Sequence, residues 1–152
     1  MKHPHVVLCA FDDWLAAQLR EIVAERRWVL REFRQPAAWV DAAARRQPCV
    51  AILQADFTDA AANPLGVVAD LHARNADAAV VVVSDVKLND DDRPPWAAAA
   101  ADVGARVVLF PPLTRPVLED AVSGLMGVVA GDTAPRSEPT IDLAAGAFED
   151  RV

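Results

Sequence analysis

The sequence predicts an α/β protein in which a doubly wound parallel sheet of five strands carries helices on both faces. Five short apolar runs alternate along the chain with five segments whose apolar residues recur at helical spacing, and this alternation is typical of a parallel sheet. Residues 78–83 read AAVVVV, and such an unbroken apolar run indicates a strand buried on both faces. With 152 residues, 53% of them hydrophobic, the chain is long enough for one domain with its own core.

The predicted elements alternate from the first strand to the last helix. Leu15, Leu19 and Ile22 give the first helix its apolar stripe, and the mixed polarity of residues 28–33 suits an edge strand. In chain order, the prediction is a strand at 5–11, a helix at 14–27, a strand at 28–33, a helix at 36–46, a strand at 49–53, a helix at 65–75, a strand at 78–83, a helix at 96–103, a strand at 105–110 and a helix at 117–129.

Residues at the element boundaries support this order. Asp12 and Asp13 follow the first strand, and aspartate is favoured at the N-cap of a helix. Pro36 suits the first turn of the second helix, and Pro48 ends that helix. Gly104 stands where the fourth helix should stop. We therefore expect one domain over residues 1–129. Residues 130–152 are rich in small, polar and proline residues, which predicts a flexible tail.

Composition excludes several classes of function. The net charge is −7 and the chain has no basic run, so nucleic acid is not an expected partner. The apolar runs are far shorter than the ~20 residues of a membrane span, and the N-terminus does not resemble a signal peptide; the sequence therefore predicts a cytoplasmic protein. Cys9 and Cys49 lie inside apolar runs, where we expect buried, reduced thiols.

No motif indicates a cofactor, a metal or a catalytic centre. The turn after the first strand, AFDDWLA, lacks glycine, so its backbone cannot wrap a phosphate as nucleotide-binding loops do. None of the six glycines or three histidines belongs to a recognisable catalytic motif. Asp90, Asp91 and Asp92 lack the alternating ligand spacing of a calcium loop, and we expect a solvated acidic turn there. The protein is not expected to be an enzyme.

The segments QPCVAIL, AAVVVVSD and DVGARVVLFPPL follow one another in the chain, and with them the chain through about residue 129 resembles the receiver domain of bacterial two-component response regulators. QPCVAIL is similar to the receiver strand that carries the phospho-accepting aspartate, and AAVVVVSD is similar to the fourth strand, which ends in a serine or threonine, here Ser84. DVGARVVLFPPL is similar to the following segment, with Gly104, Ala105 and Pro112 in register. The resemblance implies a flavodoxin-like sheet with strand order 2-1-3-4-5.

The residues that perform receiver chemistry are replaced. The resemblance implies two acids and an acceptor aspartate around Mg²⁺, and a lysine beside the phosphate. Ala10 and Phe11 occupy the acid-pair positions, Gln54 the acceptor position and Pro111 the lysine position. A neutral amide cannot accept a phosphoryl group as a carboxylate does. Only Ser84 among these functional positions is retained, together with Pro112 beside the lysine position.

These replacements predict a phosphorylation-independent pseudo-receiver that acts as a protein–protein interaction or regulatory module in bacterial signalling. The resemblance places partner binding or dimerisation on the face formed by the fourth helix, fifth strand and fifth helix. Trp96 lies in that helix, and Val108 stands where receivers usually carry an aromatic switch residue. The C-terminal tail is a second candidate contact, and we expect a homodimer.

Two alternatives remain open at this stage. In the first, Asp12, Asp13 and Asp56 replace the lost acids in an active receiver. We favour helix capping over metal binding for Asp12 or Asp13, and a solvated loop position for Asp56. In the second, the emptied pocket beside Gln54 and Ser84 holds a small ligand, because an amide both donates and accepts hydrogen bonds.

Overall fold

A computed structural model describes residues 4–45, 49–59, 61–85 and 88–129. The predicted tail, residues 130–152, lies outside this described part of the chain. The elements, in order, are β1 (His5–Cys9), α1 (Asp13–Arg26), β2 (Val29–Phe33), α2 (Pro36–Arg45), β3 (Cys49–Ala55), α3 (Pro64–Arg74), β4 (Ala79–Ser84), a 3₁₀ turn (Asp90–Asp92), α4 (Arg93–Asp102), β5 (Ala105–Leu109) and α5 (Arg115–Val129).

The five strands form one parallel sheet in the order β2-β1-β3-β4-β5. This confirms the predicted fold class and strand order. Every residue of β3 and β4 is buried, which explains why these strands read as continuous apolar runs. The edge strand β2 is only partly buried, as its mixed sequence predicts.

Two apolar clusters cover the two faces of the sheet. Alternate residues of β1 point to opposite clusters, with Val7 in one and Val6 and Leu8 in the other, because successive strand side chains alternate in direction. The cluster beneath α2, α3 and α4 includes Trp39, Val40, Leu53, Val68, Leu71 and Ala100. The cluster beneath α1 and α5 includes Leu15, Leu19, Ile22, Ile52, Leu118 and Val122.

Trp39 joins α2 to the first strand. Its side chain is fully buried, and its indole Nε1 donates a hydrogen bond to the carbonyl of Val7 at 3.0 Å. The polar atom of the ring is thus satisfied inside the core. Since α2 begins at Pro36 beside the carboxyl ends of the strands, this contact helps to position the site described below.

Several element boundaries differ from the sequence prediction by one to three residues; β1, for example, ends at Cys9 and not at Phe11. β3 continues through Gln54 and Ala55, because both residues pair with β4, at Val83 and Ser84. The fourth helix begins at Arg93, and the acidic residues before it form the exposed 3₁₀ turn. Prolines occupy the start of α4, where the missing N–H group costs no hydrogen bond.

Gly104 makes the turn between α4 and β5. Its φ of +120° is a conformation that side-chain-bearing residues rarely adopt, and a Cβ atom there would lie 2.6 Å from Cγ of His72. We therefore expect Gly104→Ala to lower the free energy of unfolding by about 2 kcal/mol, measured by chemical denaturation.

Gly124→Ala is the matched control for this substitution. Gly124 lies in α5, and a Cβ atom there would meet nothing within 4 Å. Since alanine is the better helix former, Gly124→Ala should raise the free energy of unfolding by up to about 1 kcal/mol. Equal effects at the two positions would contradict the assigned backbone strain.

Cys9 and Cys49 are both buried thiols, as predicted. Burial raises the pKa of the Cys9 thiol to about 11, so this group stays protonated at neutral pH. Among the described helices, none combines the length and hydropathy that crossing a membrane requires.

Candidate functional site

The candidate site lies at the carboxyl edge of the sheet, where β1 and β3 end side by side. Gln54 is the sixth residue of β3, and 4% of its surface is exposed. Its Oε1 accepts hydrogen bonds from the backbone N–H groups of Phe11 at 3.0 Å and Asp12 at 3.1 Å. Its Nε2 donates to Oδ2 of Asp12 at 3.1 Å. We call these three hydrogen bonds the Gln54 latch.

The latch holds the loop that joins β1 to α1. Ala10 is buried in this loop, and its N–H group donates to the carbonyl of Phe33 at 3.2 Å. Phe11 follows with 47% of its surface exposed. Neither side chain is an oxygen ligand, so these two positions cannot hold Mg²⁺ as a pair of carboxylates would. The amide of Gln54 instead joins the strand end to the loop without a charge of its own.

Helix capping by Asp12 or Asp13 was the favoured sequence interpretation, and the structure corrects it. Asp12 stands at the N-cap position of α1 but makes no side-chain capping hydrogen bond. Its carboxylate Oδ2 instead accepts a hydrogen bond from Nε2 of Gln54 at 3.1 Å. Asp13 is the first helical residue and forms an ion pair with Nη2 of Arg34 at 2.9 Å. The two acids therefore have different partners.

Asp56 lies in the loop after β3, as predicted. Its Oδ1 accepts hydrogen bonds from the N–H group of Thr58 at 3.0 Å and from the Thr58 hydroxyl at 2.6 Å. This contact is an Asx turn, which shapes the loop locally. Within the described segments, no group of three histidine, cysteine, aspartate or glutamate residues is arranged to hold a metal ion.

Ser84 ends β4 and is fully buried. Its hydroxyl donates to the carbonyl of Asp85 at 3.0 Å. Asp85 is also buried, and its N–H group donates to the carbonyl of Ala55 at 3.0 Å. The retained hydroxyl thus bonds to Asp85, the residue whose backbone N–H group links the ends of β3 and β4.

A cation lies near Pro111, although the predicted lysine position itself holds proline. Nη2 of Arg93, at the start of α4, donates to the carbonyl of Pro111 at 2.9 Å. The guanidinium lies 5.2 Å from the centre of the Phe110 ring, a cation–π contact. It also forms an ion pair with Asp90 at 3.4 Å. Arg93 therefore stabilises the segment after β5 from outside, while Pro111 is buried and Pro112 is exposed.

A cavity of about 260 Å³ opens beside Gln54, on the side facing β2. No residue of β4 lines this cavity, and the hypothesis of a pocket shared by Gln54 and Ser84 stays a prediction. Ser84 instead makes its hydrogen bond at the other side of β3. The lining is formed by the ends of β1 and β3, by the loops after β1, β2 and β3, and by the first residues of α2 and α3.

The comparisons with known proteins find similarity at the level of structure. No protein-family model matches the chain, and no curated protein matches it. Among solved structures, a pilus assembly-related protein from Burkholderia pseudomallei aligns with a TM-score of 0.59 at 17% identity, covering 82% of this chain and 90% of that one. The signal receiver domain of a LuxO repressor protein from Vibrio parahaemolyticus aligns at 0.65 with 14% identity, covering 86% and 95%.

A third similar structure is the receiver domain of a sensor histidine kinase from Pseudomonas aeruginosa. Its TM-score is 0.63 at 11% identity, with 83% of this chain and 99% of that one covered. The chain has the receiver-domain fold. That kinase receiver holds a magnesium ion in its active-site cleft, whereas the corresponding edge of this receiver-fold chain carries the Gln54 latch.

Trp96 and Val108 contribute to packing in this receiver fold. The Trp96 ring stacks on Phe57 with centroids 5.0 Å apart and an interplanar angle of 22°. Val108 pairs with Val82 in the sheet, and both Trp96 and Val108 are half-buried against the core. The assignment of these two residues to an interaction face stays a prediction.

Sequence reasoning missed Arg34, Asp85 and Arg93 at the carboxyl edge of this receiver fold. Arg34 and Asp85 each come directly after a strand, at Phe33 and Ser84, and this position was the available signal, since ligand sites of open α/β sheets lie there. For Arg93 no such signal exists, because its contact with Pro111 joins residues that are distant along the chain.

Proposed function

We propose that the protein is a pseudo-receiver, a phosphorylation-independent module that acts through protein–protein contacts in signal transduction. The Gln54 latch is the observation that carries this proposal. At the position of the acceptor, a neutral amide already donates to Asp12 and accepts from two backbone N–H groups. An amide has no carboxylate oxygen for attack on phosphorus, and it offers a metal ion no compensating charge.

An active receiver with displaced acids is the competing candidate, and the local contacts weigh against it. Asp13 is paired with Arg34, while Asp56 shapes its own turn with Thr58. Asp12 accepts from Gln54. Rearranging these carboxylates around one Mg²⁺ would require breaking each of these contacts.

The partner surface that we propose is the face formed by α4, β5 and α5. In α5, 48% of the surface of Val117 and 56% of that of Val128 are exposed to solvent. Burying this apolar surface against a partner would be favourable. A second copy of the chain or another signalling protein would cover this face. Light scattering at increasing concentration should show a dimer that Val117→Asp disrupts, and a monomer at every concentration would remove the homodimer from the proposal.

A phosphodonor experiment tests the proposed independence from phosphorylation. We expect acetyl phosphate with Mg²⁺ to leave the intact mass unchanged, because Gln54 cannot accept a phosphoryl group. Beryllofluoride with Mg²⁺ should leave the amide NMR signals of Gln54 and Ser84 unmoved. A conventional receiver treated in parallel provides the positive control.

A mass gain of one phosphoryl group would overturn the proposal. Loss of that gain in Asp56→Asn would then establish the displaced-acid receiver, with Asp59→Asn as the matched control in the same loop.

A further inference from the structure

We propose that the cavity beside Gln54 binds a small zwitterion, namely a free α-amino acid with an apolar side chain. The cavity lies between the ends of β1 and β3. In the strand order β2-β1-β3-β4-β5, the chain leaves β1 for β2 on one side and returns to β3 on the other. This is the topological switch point, where open α/β sheets place their ligands.

The size and floor of the cavity select a small, partly apolar ligand. Its volume is about 260 Å³, which corresponds to roughly nine non-hydrogen atoms at about 30 Å³ each. Cys9, Leu53 and Val67 contribute apolar lining, and Cys9 and Leu53 also belong to the core. The floor therefore favours an aliphatic side chain, and the volume is too small for a nucleotide.

A guanidinium lies on one side of the cavity. Arg34 follows β2, and it reaches across to donate to the carbonyl of Phe11 at 3.0 Å and to Asp13 at 2.9 Å. These two bonds fix the plane of a group that has five N–H donors. A guanidinium that is held in this way can bind a carboxylate through its further donors.

Two carboxylates lie on the other side, in the loop after β3. Asp56 and Asp59 both line the cavity. Each is oriented by an Asx turn, in which Asp56 accepts from the N–H group of Thr58 and Asp59 from that of Ala61, both at 3.0 Å. Their negative charge suits an ammonium group. β1 lies between β2 and β3 in the sheet. The positive charge of Arg34 and the negative charges of Asp56 and Asp59 therefore face the cavity from different sides.

Other ligand classes fit this arrangement less well. A phosphate would face Asp56 and Asp59 with like charge, and the loop after β1 has no glycine to wrap it. A covalent ligand on Cys9 is disfavoured, because burial raises the pKa of its thiol to about 11. The zwitterion alone uses the guanidinium, the carboxylates and the apolar floor together.

Titration with L-leucine, followed by ¹H–¹⁵N NMR without Mg²⁺ or phosphodonor, tests the inference. We expect saturable shifts of the amide signals of Phe11, Gln54 and Asp59. 4-Methylpentanoate lacks the ammonium group and isoamylamine lacks the carboxylate, so each should bind at least about tenfold more weakly. Because phosphoryl chemistry takes no part, this result is independent of the phosphodonor experiment.

Matched variants separate recognition from folding. Arg34→Met and Asp59→Asn should each weaken leucine binding by about tenfold or more. Arg106→Met and Asp102→Asn alter exposed residues in β5 and α4, outside the cavity, and should bind leucine as the parent protein does. Asp59→Asn retains an oxygen that can accept the Ala61 hydrogen bond, so it provides the test if Arg34→Met does not fold.

Three outcomes would overturn the inference. The first is the absence of saturable shifts at millimolar leucine. The second is equal binding of leucine and both of its truncated analogues, since the charges would then play no part. The third is unchanged binding in Asp59→Asn, which would remove the carboxylate side of the site.

Discussion

Gln54→Leu is expected to lower the free energy of unfolding by about 3 kcal/mol, roughly 1 kcal/mol for each hydrogen bond of the latch. Leucine keeps the size and the strand position, but it leaves the N–H groups of Phe11 and Asp12 without their acceptor and Asp12 without its donor. We expect the loss in urea-induced unfolding, with the m-value unchanged. Amide exchange at Phe11 and Asp12 should accelerate.

Gln18→Leu provides a control that should leave the free energy of unfolding unchanged or raise it. Gln18 lies in α1, and among the described residues its buried Oε1 has no hydrogen-bond partner. Replacing an unsatisfied buried polar atom by an apolar one is neutral or stabilising. If both glutamine variants lost the same stability, the cost at Gln54 would reflect a general effect of the substitution, and the latch would contribute nothing specific.

Trp39→Ala is expected to lower the free energy of unfolding by about 4 kcal/mol, the usual range for removing a fully buried large aromatic side chain. Trp39 has no exposed surface and packs in the cluster beneath α2 and α3. The substitution would leave a cavity and also remove the hydrogen bond to Val7. Guanidinium-induced unfolding measures this loss.

Trp39→Phe separates packing from hydrogen bonding at the same position. Phenylalanine keeps most of the apolar contact but has no N–H group for the carbonyl of Val7. Its expected cost, about 2 kcal/mol, lies well below that of alanine. Similar costs for both variants would mean that the hydrogen bond, and not the ring volume, dominates the contribution of Trp39.

The fold could be predicted because its main determinants are local in the sequence. The apolar runs of β3 and β4 predict burial of these strands on both faces of the sheet. Gly104 predicts the end of α4, because the turn there requires a positive φ. The extension of β3 through Gln54 could not be predicted in the same way. A polar residue inside a strand is stabilised by pairing with Val83 and by the latch, and both contacts are non-local.

The candidate site was predictable in position but not in geometry. Alignment with receivers placed Gln54 at the acceptor position, and the structure puts it at the carboxyl edge of β3. Asp12 was expected to cap α1, since local propensity favours that role, but the side chain from β3 competes for its carboxylate. A pocket beside Gln54 was expected, but its lining by Arg34 and Asp59 was not, because these residues lie on separate loops that reach one cavity only in the folded protein.

The Gln54 latch consists of hydrogen bonds made by an amide side chain with two backbone N–H groups and with the carboxylate of Asp12. Neither an amide side chain nor a backbone N–H group titrates at neutral pH. The two hydrogen bonds that these groups form, from the N–H groups of Phe11 and Asp12 to Oε1 of Gln54, therefore do not depend on a change of charge. Under the proposed function, the supply of phosphodonor would leave the surface offered to a partner unchanged, so the output would depend on the number of copies that the cell maintains and on the ligand proposed for the cavity.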